Sequence, residues 1–67
     1  MGVGAMQILH EWKDGTKFYL NGEKEYMLDY AGKSHKISIV RTGVVNMAIA
    51  ESKQVPKMLL AEIGMYV

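Results

Sequence analysis

Glycine falls between strand-like runs at Gly15, Gly22, Gly32 and Gly43, at spacings of 7 to 11 residues. That punctuation suits a β-meander, in which short antiparallel strands follow one another through tight turns. Three sites read alike: Lys13-Asp14-Gly15, Leu20-Asn21-Gly22 and Arg41-Thr42-Gly43. Each predicts a three-residue hairpin loop that ends on a left-handed glycine. Ala31-Gly32-Lys33-Ser34 differs, and predicts a two-residue type II′ turn with Gly32 as its first central residue.

Turns set register, and register sorts side chains between the two faces of a sheet. The first loop pairs Glu11 with Lys17 and His10 with Phe18. The second pairs Lys17 with Glu25 and Phe18 with Lys24. The third pairs Leu28 with Ile37 and Asp29 with Lys36, and the last pairs Ile39 with Val45 and Ile37 with Met47. One face then collects Met6, Ile8, Trp12, Phe18, Leu20, Tyr26, Leu28, Tyr30, Ile37, Ile39, Val45, Met47 and Ile49. The other receives Glu11–Lys17–Glu25 and Asp29–Lys36, opposite charges that favour their pairing by ~0.2–1 kcal/mol each.

After Ala50 the period changes. Pro56 bars a central strand but suits a first helical turn. Leu59, Leu60, Ile63, Tyr66 and Val67 then follow helical spacing, with Ser52 as candidate N-cap. A closing strand over residues 63–67 is the alternative, because Gly64 weakens the last turn. The expected fold is mainly β (α+β): a five-stranded antiparallel meander, as a curled sheet or small SH3-like barrel, with one short C-terminal helix. Residues 1–5 read as a flexible leader or cloning remnant, and residues 6–67 as one domain.

A 67-residue chain buries only ~60% of its unfolded surface, so reinforcement is needed for more than marginal stability. There is no cysteine, which removes disulfides and cysteine-bound zinc. Self-association is the remaining common device, and the lack of cysteine fits a cytoplasmic protein. Five strands at ~4.8 Å make a sheet ~24 Å wide, whereas one helix covers ~10–12 Å. The sheet must curl, or a second copy must cover the rest.

Several motifs invite chemistry and fall short of it. Gly32-Lys33-Ser34 resembles the end of a phosphate loop, but Met27 stands where the first glycine belongs and both flanks read as strands. His10-Glu11 starts like a zinc helix, but Asp14 occupies the second histidine's place. His10 and His35 are the neutral-range acid–base candidates, and the register gives neither a nucleophile to activate. The expectation is therefore a protein that is not an enzyme, with no catalytic or metal-ligating residue and no cofactor.

Charge excludes little else. Eight Lys and Arg stand against seven Asp and Glu, with no run of one sign. No apolar stretch approaches the ~20 residues a membrane helix needs. The candidate partner-binding residues are Leu9, Tyr19, Met27, Val40 and Val44, apolar side chains that the register places on the charged face. They point to a small inhibitor or adaptor that binds another protein through a sheet face or edge, with a homodimer also in view. The alternative is a nucleic-acid-binding regulator using Lys24, Lys33, Lys36 and Arg41 beside aromatic side chains.

Overall fold

The computed structural model describes residues 6–67; the expected leader lies outside the described residues. The elements are β1 (Gln7–Glu11), β2 (Lys17–Leu20), β3 (Tyr26–Tyr30), β4 (Lys33–Arg41), β5 (Asn46–Ala50), α1 (Lys57–Ile63) and a 3₁₀ turn, Gly64–Tyr66. The strands form one antiparallel sheet in sequence order, β1-β2-β3-β4-β5. It is the expected meander with its C-terminal helix, an open curled sheet that does not close into a barrel.

The first loop is as expected. Gly15 is left-handed at φ 94°, the Trp12 and Gly15 amides close the loop, and the Asp14 carboxylate accepts from the Thr16 amide at 2.9 Å. His10 faces Phe18 and Glu11 faces Lys17.

The second loop has the expected shape in a different place. Its three residues are Gly22, Glu23 and Lys24, and Lys24 is the left-handed one at φ 60°. Asn21 decides this. Its side-chain oxygen accepts from the amides of Glu23 (2.9 Å) and Glu25 (3.0 Å), so the turn starts at Asn21. Phe18 therefore faces Leu28, and Lys17 faces Asp29. A displacement by an even number leaves every side chain on its face. Lys24→Gly should stabilise the domain by ~1 kcal/mol, since a lysine is strained at this φ. A denaturation midpoint at or below wild type would mean that Lys24 does not close this loop.

The third turn uses Ala31 and Gly32, with φ of 53° and 78°, as a type I′ pair. Leu28 then faces His35 and Tyr26 faces Ile37, again an even displacement from expectation.

The last hairpin is the consequential correction. Its two central residues are Gly43, at φ 92°, and Val44, and the Thr42 amide donates to the Val45 carbonyl at 3.1 Å. The Thr42 hydroxyl holds that carbonyl too, at 2.7 Å. Ile39 faces Ala48 and Ile37 faces Ala50. The displacement from the expected register is odd, so β5 is turned over. Val45, Met47 and Ile49 leave the core, and Ala48 and Ala50 enter it.

The core holds Phe18, Leu28, Ile37, Val55 and Ile63, with Trp12, Tyr26, Tyr30, Ile39 and Leu59 packed around it. Ser52 is not the helix N-cap. Its hydroxyl accepts from Gln54 within the preceding turn, and Pro56 occupies the cap position. The C-terminal turn ties the two edge strands together. Tyr66 stacks on His10 of β1 with ring centroids 4.3 Å apart, and Asn46 of β5 donates to the Val67 carbonyl at 3.0 Å. Trp12 donates its indole N–H to Glu62 of α1 at 3.0 Å. The helical segment fills the gap that an open curled sheet leaves.

Candidate interaction surface

The face of the sheet turned away from α1 is built by alternation. Across β1, β2, β3 and β4 one row reads Ile8, Tyr19, Met27, Lys36. A second reads Glu11, Lys17, Asp29, Ser34. Across β4 and β5, Ser38 stands beside Ile49, and Val40 beside Met47.

Leu9 is the first correction here. The strand bulges between Ile8 and His10, which turns Leu9 into the core and brings Ile8 out. Tyr19 keeps its expected face but is only 9% exposed. Its hydroxyl donates to the Asp29 carboxylate at 3.0 Å, which also accepts from the Ser34 hydroxyl at 2.7 Å. Burial pushes the Tyr19 phenol up from its ordinary value. Met27 lies beside Tyr19, half-buried.

Lys36 divides this face. Its ammonium lies 2.9 Å from the Glu25 carboxylate, and this hydrogen bond holds Glu25 below and Lys36 above their usual ranges. Both side chains are solvated, so the pair adds little to stability. Beyond it lies an uncharged apolar patch on the β4–β5 hairpin: Val40, Val44, Val45, Met47 and Ile49, exposed by 43, 91, 58, 51 and 48%. Val40 and Val44 were anticipated. Val45, Met47 and Ile49 were not, because the misplaced turn counted them as core. The Thr42 hydroxyl beside Gly43 is the sequence signal that could have placed it, since a threonine can bind the backbone of its own turn.

Past the β5 edge the patch continues as an apolar groove, walled by Val45, Asn46, Met47 and Ala48 on one side and Lys57, Leu60 and Ala61 of α1 on the other.

The basic residues are not gathered. In a meander the β2–β3 and β4–β5 connections share one end and the β1–β2 and β3–β4 turns the other. Lys24 and Arg41 lie at the first end, Lys33 at the opposite one, and Lys36 is paired with Glu25. These four residues are therefore divided between the two ends of the sheet rather than set side by side.

The polar cleft between the β1–β2 and β3–β4 turns includes Asp14 and Asp29. Both carboxylates already serve the fold, Asp14 on the Thr16 amide and Asp29 on Tyr19 and Ser34. Among the described residues no group of three or more His, Cys, Asp or Glu could hold a metal ion. His10 stacks on Tyr66 and meets Trp12 edge-on, and His35 is buried opposite Leu28. No helix among the described residues is long and apolar enough to cross a membrane.

Fold and surface together define a small open meander, sealed by a helix and carrying an apolar hairpin face. Comparison with known proteins finds no matching family model, no matching curated protein and no matching solved structure.

Proposed function

We propose that this chain is a non-enzymatic interaction protein, an inhibitor or adaptor acting in the cytoplasm, that binds another macromolecule through the outer face of its β4–β5 hairpin. One observation carries the reading: Val40, Val44, Val45, Met47 and Ile49, none of them charged, are all exposed on one hairpin, with Val40 beside Met47 in register. These side chains present on the order of 500 Å² of apolar area, near the top of the ~300–600 Å² of a monomer's largest patch, which is often functional. The remaining anticipated contacts, Tyr19 and Met27, with Ile8 in the place of Leu9, lie across the Lys36–Glu25 pair and would flank a large partner.

Affinity capture from host lysate tests this, with wild type and a Val40→Lys/Met47→Lys variant run with and without nuclease. The expected result is a bound macromolecule that survives nuclease and raised salt and is lost with the variant. Circular dichroism checks that the variant still folds. Capture that disappears with nuclease, or collapses as salt rises, would instead mark phosphate contacts. Undiminished capture by the folded variant would place the working surface elsewhere.

A further inference from the structure

The edges of the sheet bear on what sits on this face. The Thr42–Val45 hydrogen bond fixes the alternation along β5, so the backbone groups of Asn46, Ala48 and Ala50 point away from β4. The C-terminal turn occupies the Asn46 end of that free edge. A Cβ built on Gly64 would come within 2.5 Å of the Asn46 carbonyl oxygen. At the other edge β1 is bulged, and Tyr66 packs on His10. Covering and bulging are devices that blunt strand addition. Partners are therefore directed to the face of the β4–β5 hairpin.

We infer that the partner on this face is a second copy of the chain, stacked sheet on sheet about a two-fold axis that runs along the strands between β4 and β5. The inference rests on the reading of the hairpin face as an interaction surface, and names its occupant. Such an axis places β4 over the partner's β5. Val40 and Met47 are register neighbours, as are Ser38 and Ile49. The rotation therefore sets Met47 over the partner's Val40, and Ile49 over the partner's Ser38. Large side chains meet smaller ones in both rows, as the interdigitation of sheets ~10 Å apart requires. The patch carries no charge, so self-apposition brings no like charges together.

Area supports the same occupant. A stable dimer buries ~800 Å² per partner, about a sixth of this chain's 4839 Å². The apolar patch supplies most of it, and Ser38 and Thr42 on the same face extend it. The contact also supplies the reinforcement that a core of five buried apolar side chains leaves wanting.

Sedimentation equilibrium and light scattering test the inference on the full chain at ~100 µM, above the micromolar dissociation constants at the weak end for interfaces of this size. Wild type should approach twice the 7.5 kDa chain mass. Ser38→Arg, which fills the gap opposite Ile49 and touches no core residue, should weaken association at least tenfold. Met47→Lys should do the same, with circular dichroism unchanged in both. A wild-type mass of one chain at this concentration, or a folded Ser38→Arg variant that remains dimeric, overturns the inference. If Met47→Lys unfolds, Ser38→Arg alone decides. A monomeric wild type whose macromolecular capture still depends on Val40 and Met47 would sink the second copy and leave the interaction surface standing. A dimer broken by Ser38→Arg, with capture indifferent to these residues, would do the reverse.

Discussion

Gly64→Ala is expected to destabilise the domain by ~1–3 kcal/mol, the range for forcing an extra methyl into a filled site. Melting should fall by ~4–20 °C in a domain of this size. The sign is the informative part. Gly64 has an ordinary helical φ of −58°, so alanine would normally favour the helix there by ~1 kcal/mol. What forbids it is the Asn46 carbonyl oxygen, 2.5 Å from the position a Cβ would take. Backbone, rather than a flexible side chain, stands in the way, so the C-terminal turn must move off β5. A raised melting temperature would show that this turn does not lie against the β5 edge. Gly22→Val is the matched control. Gly22 follows a strand as Gly15 and Gly43 do, but it is not left-handed, and the change should shift melting little.

Phe18→Ala should remove most of the remaining stability. Phe18 is fully buried, stacked on Tyr26 with ring centroids 5.6 Å apart, and belongs to the one core cluster. Truncation of a buried phenylalanine costs ~3–5 kcal/mol. A 67-residue domain has only ~3–10 kcal/mol to lose. Urea denaturation followed by circular dichroism should find the variant largely unfolded or with a midpoint near zero denaturant. Met47→Ala provides the contrast: in the register read from the sequence both side chains are core, and in the structure only Phe18 is. If the two variants lose comparable stability, β5 is oriented as its hydrophobic pattern suggests, and the exposed hairpin face does not exist.

The legible part of this fold came from local chemistry. Lys13-Asp14-Gly15 specifies its loop completely, because a glycine stands at the left-handed position and an aspartate stands where it can bind the backbone. The second and third turns were misplaced, through Asn21 and Ala31, in ways that shift the strand pairing by even numbers of residues. Their faces survived, because side chains alternate with a period of two. Hence Phe18, Tyr26, Leu28, Ile37 and Ile39 were read as core correctly from wrong pairings. The same arithmetic made the last hairpin unforgiving. A two-residue turn at Gly43-Val44 in place of a three-residue loop reverses every residue of β5.

The sequence by itself determined the number and order of strands, the first loop at Lys13-Asp14-Gly15 and the helix after Pro56. Each of these rests on contacts within a few residues, where φ preferences and hydrophobic period act directly. Only the tertiary structure decided which face of β5 is buried, since Met47-Ala48-Ile49-Ala50 offers apolar side chains to both sides. The C-terminal segment and the Gly43-Val44 turn agree on it. The Val67 carbonyl accepts from the Asn46 side chain, and Gly64 lies against the Asn46 carbonyl, so the side of β5 that carries Asn46, Ala48 and Ala50 packs toward α1 and the core. Met47 and Ile49 alternate to the outer face, held there by contacts with a distant segment as well as by the local turn, and the candidate interaction surface is the result.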